Sequence, residues 1–408
     1  MGSPLPVVSL VHKPELLNQE VEKDMNLKRI ALAVFLPACA AGIALAQDHD
    51  RKVPHLDHVF VIMMENHYYS QVLGNANAPF ITGYAKSANL ATNYFAVGHP
   101  SLTNYLEVIG GSNFGIINDD SPDWHNTSCV SNIELGQAAL ESAPTNTCPI
   151  AGTGLDGATP AVDTTNEGTV AEPIYNTPID PAKTIGISIG DQLVEAHMSW
   201  KSYQEDLPPY GADGVDNSDG LLSNLTEAAP GVPNLYAVKH NPFVYFASVQ
   251  SGEIPENSLK NVVSLNQLDV DLAKGHVPDL AFIVPNQCHD MHGRGSTEVG
   301  PGCSIDANNI AQGDAAVKAL VTGIKSSKLW KEGNNVIVTV WDENDYSSLP
   351  NQVVTIVDTS YAPTGISSNV PYNHFSLLKT LETGFGLSYL NHAADKNVKV
   401  MSDLFSGN

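Results

Sequence analysis

Three short apolar runs in this 408-residue sequence end in side chains that can hold a cation or move a proton. Val59 to Met64 runs into Glu65, Asn66 and His67. Leu280 to Val284 is followed by Asn286, His289, Asp290, His292 and Arg294. Val336 to Val340 runs into Trp341, Asp342, Glu343, Asn344 and Asp345. Carboxylates from Glu65, Asp290, Asp342 and Glu343, with imidazoles from His289, His292 and His374, are a donor mixture that a divalent cation accepts. Each group has an ordinary reading as well: Glu-Asn as a turn, Asp-Glu-Asn-Asp as a solvated loop. Their recurrence after apolar runs favours one shared site. A nucleophile candidate stands in Gly98-His99-Pro100-Ser101-Leu102-Thr103-Asn104. Ser101 opens a helical stretch, where exposed N–H groups and the helix dipole favour an incoming anion such as phosphate. The simpler reading makes Ser101 an N-cap, and Thr103 is the competing hydroxyl.

These residues need a scaffold that brings distant segments together. The apolar runs have the composition of strands buried on both faces. Trp200 to Gln204 and Val353 to Val357 read as further strands, and helical spacing marks Ser101 to Ile109, Gly190 to His197, Ala315 to Ser326 and Asn373 to Thr383. Such alternation predicts an α/β fold with a mostly parallel sheet, whose strand carboxyl ends line the ligand crevice. In a regular strand Asp342 and Glu343 point to opposite faces, so both serve one site only if the strand ends before them. No internal repeat or linker stands out, and residues 48–408 read as one domain with loop insertions near 127–181 and 210–233.

Acidic residues outnumber basic ones by 44 to 20, a formal net charge of −24. That balance argues against nucleic-acid binding and against an anionic membrane surface. From Met25, a basic start (Lys28, Arg29), an apolar run (Ile30 to Leu45) and Ala44-Leu45-Ala46 read as a secretory signal peptide over 25–46 rather than an integral membrane span. Residues 1–24 form a leader with no fold pattern. Export to the periplasm or beyond is the expectation. Removal of the signal takes Cys39 and leaves Cys129, Cys148, Cys288 and Cys303. Of the possible pairings, Cys129–Cys148 with Cys288–Cys303 is preferred, because it pins two loops rich in Gly, Pro and Asn.

The segments MMENHYYSQVLGN, GHPSLTNYLEVIGG, SWKSYQEDLP, KHNPFVYF, VPNQCHDMHG, VTVWDEND and YNHFSLLKTLE follow one another from Met63 to Glu382. Together they resemble the bacterial phosphoesterase family of secreted acid phosphatases and phospholipase C-type enzymes, within the alkaline-phosphatase-like superfamily. The resemblance covers nearly the whole exported chain and implies a three-layer α/β/α sandwich. GHPSLTNYLEVIGG is also similar to the nucleophile segment of nucleotide pyrophosphatases, with Ser101 in the nucleophile's place, Asn104 in the asparagine's and Thr103 where a proline is usual. On the resemblance, Glu65, Asn66, Asp342 and Glu343 are metal ligands, and Asp290, His292 and His374 join them. Asn118 steadies the phosphate, and His289, Asn104, Lys239 and His240 contact substrate, with a structural cap as the other reading of Lys239 and His240. No Cys-x-Pro-x-Arg segment is present, which argues against a sulfatase.

The implied activity is metal-assisted hydrolysis of a phosphate ester through a phosphoserine. In so acidic a body the reaction needs local positive groups: the metal, His99 or His289, and Arg294, which can grip phosphate bidentately. A salt bridge inside the Cys288–Cys303 loop is the other reading of Arg294. The substrate is expected to be a small phosphate monoester. One alternative is a phospholipase C-type diesterase acting on lipid head groups. The other is an exported phosphate- or metal-binding protein without catalysis.

Overall fold

In the computed structural model, described here for residues 53–122, 128–136, 147–154, 184–208, 235–293, 307–347 and 350–406, the apolar runs become the centre of a sheet. The chain divides into Met1–His49 and Asp50–Asn408, and all described residues belong to the second unit. The expected signal peptide, most of both loop insertions, Arg294 and Cys303 lie outside the described residues.

Strand β1 is His58–Met64, and every residue after His58 is buried. A continuous apolar run suits a strand covered on both faces, since neither face needs polar side chains. Along the chain follow β2 (Asn89–Ala91), β3 (Trp200–Gln204), β4 (Val262–Ser264), β5 (Leu280–Val284), β6 (Asn335–Trp341), β7 (Thr355–Thr359) and β8 (Ser367–Ser368). Among the described residues these form one sheet in the order β8-β2-β7-β6-β1-β5-β3-β4. Strand β1 runs parallel to both β5 and β6, and β3 runs parallel to β5 and β4. Only β7 opposes its neighbours β6 and β2.

The main helices are α1 (Pro79–Ser87), α2 (Ser101–Gly110), α3 (Ile189–Glu195), α4 (Asn266–Lys274), α5 (Ala307–Ser326) and α6 (His374–Phe385). They cover both faces of the sheet. Phe282 on β5 sits beside Val61 of β1 in register and meets Tyr105 of α2 edge-on, with ring centroids 6.3 Å apart. Met64 lies three residues beyond Val61 and so faces the other way. There its methyl lies 3.1 Å from where a Cβ on Gly313 of α5 would sit. The result is helix layer, sheet, helix layer: an α/β/α sandwich.

Helix α2 is buried along its whole length. It stops at Gly111, whose φ of 70° is the left-handed cap that glycine adopts without a Cβ penalty. A Cβ there would stand 2.6 Å from the Leu390 carbonyl oxygen. The fourth expected strand is displaced: Val353 donates its N–H to the Tyr94 carbonyl at 3.1 Å, outside the β6–β7 ladder, and β7 begins at Thr355. The Cys129–Cys148 disulfide is present, and Cys288 is also disulfide-bonded. No helix among the described residues is long and apolar enough to cross a membrane.

Candidate active site

Parallel pairing places the ends of β1, β5 and β6 at one edge, and backbone bonds tie the following residues together. The Asp342 N–H donates to the Met64 carbonyl at 2.9 Å, and the Glu65 N–H to the Asp290 carbonyl at 2.8 Å. The Asn66 N–H donates to Asp342 Oδ1 at 3.2 Å. Because β6 ends at Trp341, Asp342 and Glu343 escape strand alternation, and both turn into the buried site. Asn66 itself has φ of 44°, a left-handed conformation that asparagine tolerates better than most residues.

Ser101 is the first residue of α2 and is buried. Its hydroxyl lies 3.1 Å from Glu65 Oε2 and 3.4 Å from Glu343 Oε1. One terminal atom of the Asn66 amide lies 3.0 Å from Glu65 Oε2 and 3.1 Å from Glu343 Oε1. As nitrogen it donates to both carboxylates. As oxygen it completes with them a three-oxygen face of the kind hard divalent cations take. The competing hydroxyl is turned away, since Thr103 Oγ1 donates to the Pro100 carbonyl at 2.8 Å.

Glu343 is braced from two sides. His99 Nδ1 lies 2.8 Å from its Oε2, and the Asn104 amide donates to the same oxygen at 3.2 Å. Asn104 also accepts the N–H groups of Val97 and Gly98, fixing the turn before the helix. On the other flank His240 packs parallel to Tyr105, with ring centroids 5.2 Å apart. Its Nε2 comes within 3.0 Å of Glu65 Oε1, and its Nδ1 within 3.3 Å of Asp290 Oδ2. Donor atoms of Glu65, His240 and His292 all lie within 4.8 Å of one another.

Lys239 is the buried cation of this cluster. Its Nζ is 3.0 Å from Asp119 Oδ2, 3.3 Å from His292 Nε2 and 3.4 Å from the Ser101 hydroxyl. Burial works against its charge, but Asp119 and Glu65 outweigh that and hold the ammonium above its ordinary range. Burial pushes Glu65 up to about 8; Lys239 opposes the rise and Glu343 adds to it. Asp290 and Asp342 are raised well above the usual carboxylate range by burial and then by Glu65. His240 is driven well below the usual histidine value by burial and then by Lys239.

A cation would relieve this crowding, and the donors fit one. Glu65 Oε1, His240 Nε2, Asp290 Oδ2 and Asp342 Oδ2 are buried, and none of them, the close His240 contacts included, finds a partner in hydrogen-bonding geometry. Buried polar atoms left without partners are costly and uncommon. Carboxylate oxygens with imidazole nitrogens that converge this closely are the donor chemistry of a divalent metal.

The structure corrects parts of the expected site. His374 has both ring nitrogens engaged, Nε2 with the Asp342 carbonyl at 2.7 Å and Nδ1 with the Tyr94 hydroxyl at 3.0 Å. Burial holds it down at about 4, and with both nitrogens engaged it stands as a neutral brace for the Asp342 turn. His289 turns away to Glu205, 2.9 Å from it, beside a separate cavity of about 380 Å³ lined by Leu265, Pro285, Ala316 and Leu320. Asn118 donates to Asp120 at 2.8 Å. The residue that reaches the site is its neighbour Asp119, whose Oδ1 also accepts the Leu102 N–H at 3.1 Å. The first turn of α2 is therefore partly capped by a carboxylate. Sequence reading missed Asp119 and the donor role of His240; the acidic pair Asp119-Asp120 carried no spacing signal.

A family model described as Phosphoesterase family matches residues 75–388. A Mycobacterium tuberculosis protein named phosphatidylinositol-3-phosphatase is 25% identical over 345 residues, covering 84% of this chain and 81% of that protein. A phosphate-repressible acid phosphatase from Penicillium chrysogenum is 26% identical over 309 residues, covering 75% of this chain and 54% of that one. An Aspergillus fumigatus acid phosphatase is 23% identical over 334 residues, covering 81% and 55%. The chain thus spans just over half the length of these fungal relatives. A Vibrio parahaemolyticus structure described as a protein in the alkaline phosphatase superfamily aligns with a TM-score of 0.46 at 10% identity, over 85% of this chain and 71% of that one. The family match runs through most of the chain, and the protein belongs to the phosphoesterase family, enzymes that hydrolyse phosphoric esters.

Proposed function

We propose that this protein is an exported, metal-assisted acid phosphatase that hydrolyses phosphate monoesters through a phosphoserine at Ser101. One observation carries the reading: the buried Ser101 hydroxyl faces the same two carboxylate oxygens, at 3.1 and 3.4 Å, that the Asn66 amide faces at 3.0 and 3.1 Å. Glu65, Asn66, Asp342 and Glu343 would hold one divalent cation, with His240, His292 and Asp290 further donors on the far side of Glu65. Such a cation supplies Lewis-acid charge that makes a nearby hydroxyl more acidic and offsets phosphate charge.

The chain's own residues do the remainder. Ser101 Oγ attacks phosphorus in line and its proton passes to the adjacent carboxylate, while the ester oxygen leaves on the opposite side and takes a proton from solvent. Lys239, 3.4 Å from the hydroxyl, is placed to stabilise charge on the non-bridging oxygens as they tighten in the transition state. Water then attacks the phosphoserine, releasing phosphate and restoring the hydroxyl. The signal-like segment 25–46 and the Cys129–Cys148 disulfide support an oxidising, exported location.

A second reading narrows the substrate to a phosphoinositide head group. It is favoured by the M. tuberculosis relative, 81% of which is covered. Release of inorganic phosphate from an aryl monoester and a short-chain phosphoinositide, and release of the phenol from an aryl diester, separate these readings, with Ser101→Ala and exhaustive chelation as controls. Monoester turnover that disappears with Ser101→Ala and with chelation supports the proposal. Turnover unchanged in Ser101→Ala overturns the nucleophile, and a preference for the diester overturns the phosphatase reading in favour of a phospholipase C-type enzyme.

A further inference from the structure

We infer that Tyr346 forms the leaving-group wall of the site and selects phosphate esters of aromatic or flat-ringed alcohols. The inference rests on the phosphatase reading above and adds the class of alcohol that reading leaves open.

Three observations converge on this residue. Tyr346 is 53% exposed, and the other large hydrophobic side chains exposed among the described residues are Val130, Leu135, Ile254 and Val270, none of them aromatic. A tyrosine in water therefore stands out from an otherwise well-buried aromatic set. Its ring is also held in a fixed place. It stacks on His99 with centroids 3.9 Å apart and planes 27° from parallel. His99 is buried and bonded at 2.8 Å to Glu343, whose other oxygen lies 3.4 Å from the Ser101 hydroxyl. Two contacts thus link the tyrosine to a carboxylate that touches the nucleophile.

The backbone adds the third observation. Tyr346 has φ of 61°, left-handed and unfavourable for a bulky side chain. The Tyr346 N–H donates to Asn344 Oδ1 at 2.8 Å, a short-range bond that stabilises this turn. Strained conformations of this kind persist where the surrounding structure over-determines them, and they cluster at ligand clamps. Here the turn sets the ring flat against the imidazole, at the rim of the acidic cluster.

The ring stacks on His99, and the residue is 53% exposed. An aromatic face presented in this way attracts another π-system or an apolar ring by offset or edge-on packing. Phosphate held at Ser101 projects its ester oxygen away from the attacking hydroxyl, and on this inference the alcohol beyond it leaves past Tyr346. A thin alkyl alcohol gains little from such a wall. A flat ring gains the stacking.

The test measures kcat and KM for 4-nitrophenyl phosphate and for propyl phosphate, following released inorganic phosphate, in wild type, Tyr346→Ala and Tyr346→Phe. The quantity read is the ratio of the two kcat/KM values, aryl over alkyl. The expected result in Tyr346→Ala is a fall of about 2- to 10-fold in this ratio, carried by KM, with Tyr346→Phe keeping the wild-type ratio. An unchanged ratio in Tyr346→Ala overturns the inference, whether both activities stay or both fall together; an equal fall makes Tyr346 a brace for His99. A ratio lost in Tyr346→Phe as well assigns the effect to the hydroxyl and overturns the stacking argument. Failure of the phosphatase reading looks different: wild type then releases phosphate from neither ester.

Discussion

Lys239→Met tests whether the buried ammonium holds the site together, drives the chemistry, or does both. The substitution keeps length and apolar volume and removes one charge. In the wild type that charge lies 3.0 Å from Asp119 and 3.4 Å from Ser101, with the lysine side chain 7% and the aspartate side chain 18% exposed. Breaking a buried ion pair by removing one partner costs about 3–5 kcal/mol, because the other charge is left without compensation. Asp119 keeps some contact with water, so the lower end, about 3 kcal/mol, is the expected loss. Lys239 also lowers the proton affinity of Glu65, Asp290 and Asp342, and those carboxyls will hold protons more tightly without it. Urea unfolding gives the stability, and initial rates on an aryl phosphate give kcat. The second variant, Lys239→Met with Asp119→Asn, separates the two roles. Asparagine still accepts the Leu102 N–H through its side-chain oxygen and strands no charge, so most of the stability should return. The kcat deficit, about 100- to 1,000-fold for a lost transition-state donor, should remain. Recovery of kcat together with stability would refute a catalytic role for Lys239. A single variant as stable as wild type would refute the ion-pair reasoning.

Glu65, raised by burial from the ordinary 4.5 to about 8, binds a proton in the folded chain that the unfolded chain has already released. Metal-stripped protein should therefore lose stability as pH rises from 4.5 to 8, by up to about 5 kcal/mol from this group. A cation takes the proton's place, so melting temperatures with and without chelator should differ more at pH 8 than at pH 5; equal differences contradict the argument. His289→Ala should keep kcat within about threefold of wild type, while His292→Ala should lose at least tenfold, because only His292 contacts Lys239; rates measured in parallel decide it. Replacing Cys129 and Cys148 by alanine should cost about 3 kcal/mol for a crosslink spanning 19 residues, read by urea unfolding in oxidising buffer.

What the sequence made legible follows from how each feature is encoded. Strands β1, β5 and β6 announce themselves because burial on both faces demands an unbroken apolar run, and that run needs no knowledge of partners. Their carboxyl ends then locate Glu65, Asp290, Asp342 and Glu343, since parallel strands deliver their C-terminal residues to one edge. Short strands such as Asn89–Ala91 and Ser367–Ser368 carry no such run, and tertiary contacts create them. The histidines are harder for the same reason. His289 and His292 share one motif three residues apart, yet the chain between them places one against Glu205 and the other against Lys239. Residue type and spacing predict that a loop carries donors, not which face each donor takes. Asp119 shows the limit most clearly. Nothing local distinguishes it from Asp120, and its importance exists only once α2 and Lys239 are folded against it, supplying an N–H at 3.1 Å and an ammonium at 3.0 Å. A strongly acidic protein thus spends a carboxylate to position a cation beside its nucleophile. The net charge of −24 consequently says little about the field at Ser101, where the sign is set by the buried ammonium and by whatever cation the surrounding carboxylates hold.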